Sequence, residues 1–147
     1  MSYQSFEQVL QKCHTEEKEF WRVILEDDMA ERNVSEEDSM EHMRATWDAM
    51  LLAAATYEGN LNSSSGLVGG DGRRMEEYIR SAQTKSLCGE YVDTCIAGAL
   101  QMGESNACMK RIVAAPTAGA CGVLPAVLVP YFQKRCKDTD KILKAMY

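Results

Sequence analysis

The 147-residue chain is poor in the residues that commit a sequence to the commoner specialised sites. Histidine occurs only at His14 and His42, and neither sits in a ligand knuckle, so a zinc centre is not expected. Six cysteines occur, at 13, 88, 95, 108, 121 and 136, without one CxxC pair. The first fifteen residues carry Glu7 and no apolar run, so no secretory signal is visible. Free thiols in a reducing cytoplasm are therefore expected, not a disulfide framework. The GxGxxG and GxxxxGKS/T patterns are both missing, which removes the dinucleotide and P-loop readings. Positive charge is scarce as well: 16 Lys and Arg stand against 22 Asp and Glu, for a net charge of −6. A nucleic-acid partner is not expected, because phosphate contacts need clustered cations.

A long charge-free run does occur, over the 22 residues 112–133. It contains Pro116, Pro125, Pro130, Gly119 and Gly122, and a spanning helix does not tolerate five breakers. It reads as buried loop and core helix, with no membrane partner.

What is present is the composition of one globular domain, 46% hydrophobic and 26% charged. Residues 1–48 carry a net −8 and residues 49–147 a net +2. Residues 1–58 read as an acidic, solvated helical layer, and residues 59–147 as the loop-bearing part that packs or binds. Phe6, Val9, Leu10 and Cys13, then Phe20, Val23 and Ile24, recur at helical spacing. Ser35 and Asp38 form a capping arrangement ahead of Met40, Met43, Trp47, Met50, Leu51 and Ala54. This predicts a helix over 35–58, closed by Gly59. Further helices are predicted from Arg73 to about Ala82, from Ser86 to Met102 with Gly103 breaking it, and from Val123 to Cys136. Only Arg111–Ala114 suggests a strand, so the class is all-α.

Asp138 or Thr139 reads as the cap of a last helix, in which Ile142, Leu143 and Met146 are expected to lack a partner. That helix has no cap at Tyr147, so the domain is expected to be incomplete, and self-association is expected from its bare apolar face.

Two glycine-rich loops interrupt the helices. The first, 60–72, holds four glycines, three serines and two asparagines; the second spans 114–122. Each feeds a helix, whose first N–H groups and positive dipole end suit a phosphate or carboxylate. Plain interhelical connection is the competing reading.

Ser65-Gly66-Leu67-Val68-Gly69-Gly70-Asp71 resembles the SGLTGGD segment of bacterial iron–sulfur-dependent L-serine dehydratases. Residues 112–128, with Ala115-Pro116-Thr117-Ala118-Gly119 at their centre, resemble that family's second signature, IVAAPTAGSxGVxPG. Order and separation also match, and the resemblance covers the whole chain. It points to the N-terminal half of the α subunit or α domain. The resemblance implies β-elimination of L-serine to pyruvate and ammonia, using a 4Fe–4S cluster and no pyridoxal phosphate. It places the three cluster cysteines in GGCQAE-like and CDPVxGxVxxPC-like segments, neither of which occurs here, so the ligands are expected outside this chain. Implied partners are L-serine, the remainder of the α domain and a β subunit or domain, in an oligomer. The chain alone is expected to be inactive.

Given the resemblance, Ser63, Ser64, Ser65, Gly66, Gly69, Gly70 and Asp71 are candidates for holding the substrate's carboxylate and amine. Thr117, Ala118 and Gly119 are the second group. The cysteines read as core thiols, and His14 and His42 as surface residues. Lys110-Arg111 reads as a solvated pair, with pairing to an acid or steering of an anionic substrate as the competing reading, and Arg73-Arg74, at a helix start where the dipole disfavours cations, as hinting at a partner carboxylate or a subunit contact. Alternatives are a non-catalytic helical interaction module and a fragment of a related cysteine desulfidase.

Overall fold

A computed structural model describes residues 3–81 and 86–147. Seven α-helices account for most of them, with no strand among the described residues. The all-α expectation holds, and Arg111–Ala114 is an irregular segment. Two compact units form. One comprises Met1–Trp47 with Asp138–Tyr147; the other is Asp48–Lys137.

The first unit holds α1 (Phe6–Glu16), α2 (Phe20–Arg32), the first turns of α3 (Glu36–Ala55) and α7 (Thr139–Met146). Its helices start and stop on local chemistry. Ser5 Oγ accepts from Gln8 N while the Gln8 side chain accepts from Gln4 N, fixing the start of α1. Glu17 and Asn33 end α1 and α2 in left-handed conformations. Ser35 Oγ accepts from Asp38 N, and the Asp38 carboxylate accepts from Ser35 N, which is the reciprocal cap expected for α3. Asp138 accepts from Lys141 N and caps α7. Ser39 is fully buried and joins α2, α3 and the last residue: it donates to Asp28 Oδ2 at 2.6 Å and lies 2.7 Å from Tyr147 Oη.

The bare face expected on the last helix is not bare. Ile142 is 1% exposed and Leu143 is 0% exposed, and Met146 is half-buried. The helix is amphipathic, and its apolar side packs against α2 within this unit. Lys144 on its polar side stacks over the Trp21 ring at 4.5 Å.

The second unit is built around α5 (Glu90–Ala107), with α4 (Asp71–Arg80) and α6 (Val123–Tyr131) packed against it. A π-helical turn, Phe132–Cys136, prolongs α6 past Pro130. Met50, Ala53, Leu61, Ala97, Met102, Cys121, Ala126 and Val129 form the core. Three boundaries differ from expectation. α3 ends at Ala55, and Gly59 lies four residues beyond it without a left-handed φ. α4 starts at Asp71 rather than Arg73, because a distant side chain caps it, as described below. α5 starts four residues later than expected and runs straight through Gly103. A helical glycine costs only about 1 kcal/mol, and burial of Met102, Glu104 and Ser105 on either side outweighs it. No helix of the described residues is long and apolar enough to cross a membrane.

Candidate functional site

The first loop is a closed hydrogen-bonded ring. Ser63 N donates to Val68 O at 2.9 Å, and Val68 N donates back to Ser63 Oγ at 3.1 Å. Inside it, Gly66 N donates to Ser63 O, and Ser65 Oγ lies 3.1 Å from Ser63 Oγ. Gly66, at φ 70°, takes the left-handed position of that turn. Gly69 is needed for a different reason. A Cβ there would lie 2.3 Å from Leu61 O and 2.6 Å from Asn62 Oδ1, so the chain's own backbone occupies the space. Ser64 and Ser65 remain exposed at the tip.

The loop then enters α4, and the geometry here was not foreseen. The first amides of α4 point at a carboxyl group 33 positions along the chain: Asp71 N and, at 3.1 Å, Gly72 N both donate to Glu104 Oε1. Tyr57 Oη donates to the other oxygen, Oε2, at 2.5 Å. Glu104 is 3% exposed, so three protein donors replace water around a buried carboxyl group. Burial, and then the Glu104 contact, push the Tyr57 hydroxyl well above the ordinary tyrosine range, so it stays protonated and donates. Gly72 permits the approach, since a Cβ there would meet Gln101 and the Tyr57 hydroxyl, both at 2.8 Å. Asp71 itself does not cap α4; its carboxylate faces solvent and pairs with Arg74 at 2.7 Å. Arg73 pairs with Glu77 at 3.7 Å, so both early arginines do find carboxylates. Lys110 pairs with Glu58 at 3.4 Å.

The second loop is anchored two residues along the same helix. Asn106 Nδ2 donates to Ala118 O at 3.0 Å. Thr117 Oγ1 accepts from Ala120 N at 3.3 Å and caps a short 3₁₀ turn, Ala118–Ala120. Thr117, Ala118 and Gly119 are exposed, while Cys121 is buried, and burial pushes its thiol pKa up. Gly122 lets the loop close onto α5, where an added Cβ would lie 3.2 Å from Ala99 O. The predicted residues thus form two groups, 63–71 and 117–119, each fastened separately to the end of α5.

None of the predicted residues lines the cavity of about 360 Å³ between α3, α4, α5 and α6. Leu51, Ile79, Met102, Pro125 and Val129 make it apolar, and Glu76 accepts from Gln101 and Arg80 at its polar edge. Sequence reasoning also missed Glu104, Tyr57 and Asn106. Glu104 did leave a signal: it is the one charged residue between Asp93 and Lys110. A lone acid in an uncharged helix is either buried with partners or exposed by accident, and the sequence does not say which.

His14 and His42 are exposed, as expected. All six cysteines are free thiols, and among the described residues no three His, Cys, Asp or Glu side chains converge into a metal site.

Fold and site together define an all-helical protein that carries two glycine-rich loops on the end of one helix. Residues 15–147 match the family described as "Serine dehydratase alpha chain", and the chain belongs to that family. It is 30% identical over 139 residues to the "L-serine dehydratase, alpha chain" of Peptoniphilus asaccharolyticus, covering 92% of this chain and 46% of the relative. It is 30% identical over 125 residues to the "Probable L-serine dehydratase, alpha chain" of Bacillus subtilis (strain 168), covering 85% and 41%. The "L-serine dehydratase" of Haemophilus influenzae is 30% identical over 139 residues, 90% of this chain and 29% of that one. The chain therefore spans less than half the length of these relatives. No solved structure matches it.

Proposed function

We propose that the chain is one part of an L-serine ammonia-lyase, to which it contributes the two loops that hold and orient L-serine. The net reaction converts L-serine to pyruvate and ammonia through loss of the Cα proton and the β-hydroxyl. One observation carries the reading: the two family-like segments, 65–71 and 112–128, are each fixed to α5, by Glu104 and by Asn106. A rigid helix that positions both loops supplies the preorganisation substrate binding requires.

In this reading the roles divide between the loops. The opening amides of α4 are already taken by Glu104, so the substrate carboxylate is assigned to the serine hydroxyls at 63–65 and to Thr117, Ala118 and Gly119. The exposed Asp71 carboxylate suits the substrate ammonium. Gly66, Gly69 and Gly70 hold the shape that presents these groups.

Among the described residues no cradle for a 4Fe–4S cluster forms, because their cysteines and histidines do not converge. In this reading cluster and acid–base groups reside on the remainder of the α chain and on a β part, in the cytoplasm.

The test is pyruvate release from L-serine by this chain, alone and assembled with those parts from the same genome. The chain alone is expected to be inactive and the assembly active. In the assembly, Thr117→Ala is expected to raise KM for L-serine about tenfold, the loss of one hydrogen bond of about 1–1.5 kcal/mol. Turnover by the isolated chain, or an assembly indifferent to Thr117→Ala and Asp71→Ala together, overturns the proposal.

A further inference from the structure

The outer surface of the second unit carries two apolar rows. Val92, Ile96 and Leu100 recur every four residues on α5, and Val123, Val127 and Tyr131 do the same on α6. All six are between 37% and 61% exposed. The helices run antiparallel: Gly122 meets Ala99 and Met102, Ala126 meets Gly98, and Lys134 reaches Glu90 at 2.7 Å. Turning about 100° per residue, the α6 row lies about a third of a turn from its helix's contact line and the α5 row about two fifths, and in an antiparallel pair both rotations lead to the same side. The rows therefore lie alongside each other, with Val123 level with Leu100 and Tyr131 level with Val92. Gly98, whose Cβ would lie 3.4 Å from Ala126 Cα, brings the two helices close enough to make one continuous face.

This face has no charge to keep it wet. Residues 94–103 and 112–133 contain no Asp, Glu, Lys or Arg, although a quarter of the chain is charged. Gly103 continues the α5 row, and the position of its absent Cβ has nothing within 4 Å, which leaves room for a partner's backbone. A contiguous apolar face edged by small residues is the composition of a buried interface, not of a free surface. The relatives supply an occupant, since each is more than twice the length of its match to this chain.

We infer that the α5–α6 face is the docking surface for the part equivalent to the unmatched portion of those relatives, received through an apolar helical face of its own. The inference rests on the proposed function for the partner's identity, and on the exposed rows for its location. The experiment places the photo-crosslinking amino acid benzoylphenylalanine at Ile96, at Val127 or, as a control on α4, at Glu77, in the chain expressed in its source organism. After irradiation, crosslinked peptides are identified by mass spectrometry. Adducts from Ile96 and Val127, and not from Glu77, to a polypeptide similar to the unmatched part of the serine dehydratase α chains are expected. Ile96→Asp and Val127→Asp are expected to leave the helical circular dichroism unchanged and to weaken co-purification at least tenfold each, since each places a charge in an apolar interface. Adducts to a second copy of this chain, or no adduct above the control, overturn the docking surface even if the assembly turns over L-serine. Adducts at the face to an unrelated protein overturn the partner, and with an assembly inactive on L-serine they overturn the functional reading as well.

Discussion

Replacing Glu104 by alanine tests the most specific feature of the site. The side chain accepts from Asp71 N, Gly72 N and Tyr57 Oη in a buried setting. Alanine removes all three acceptor contacts and leaves a void beside Gly72. An unsatisfied buried donor costs about 1–3 kcal/mol, less where water can enter. The Gly72 amide is buried and bears most of the penalty, while the half-buried Tyr57 can turn to solvent. A loss of about 3 kcal/mol follows, and at roughly 2–4 °C per kcal/mol for a chain of this size Tm should fall by about 6–12 °C. Glu104→Gln keeps an oxygen for the two amides and should lose about 1 kcal/mol. Thermal unfolding followed by circular dichroism gives the ranking, and hydrogen exchange at the Asp71 and Gly72 amides locates it. The exchange should accelerate in Glu104→Ala while amides in α1 and α2 keep their rates. If Glu104→Ala melts within about 2 °C of the parent, the carboxyl group does not hold the loop and the reasoning fails.

Gly69→Val should destabilise far more than Gly66→Ala. The former drives a side chain into Leu61 O, whereas the latter meets open space and incurs only the left-handed backbone cost of about 1 kcal/mol; denaturant midpoints compare them. Leu143→Ala should cost about 2–5 kcal/mol as a fully buried side chain, and an unchanged midpoint would show that α7 does not pack on α2. The raised Tyr57 pKa contributes stability that is present below the ordinary tyrosine value and is lost as pH rises through the folded value. Stability should therefore decline above about pH 10 more steeply in the parent than in Tyr57→Phe. The Asp28 carboxyl, held below its usual range by Arg32, acts at the other end, with stability lost as pH falls below about 4. Asp28→Asn should flatten that acid limb in a pH series of urea unfolding curves.

The sequence alone determined what depends on near neighbours. The Ser35–Asp38 cap, the Asp138 cap and the 3.6-residue spacing of Met43, Trp47 and Met50 each lie within a few turns of one helix, so they could be read along the chain. The family likeness was legible for the same reason, since both signature segments are continuous. Tertiary structure decided everything that depends on distant pairings. Gly103 is a breaker by propensity, yet the burial of its neighbours keeps it helical. Ile142 and Leu143 looked unpartnered because α2, which covers them, lies more than a hundred residues away in sequence. The first amides of α4 read as a place for a phosphate or carboxylate. Packing of α4 against α5 brought Glu104 to those amides, and the turn at Leu61 filled the space beside Gly69. A helix N-terminus needs an acceptor, and its own sequence states that need without saying which residue meets it.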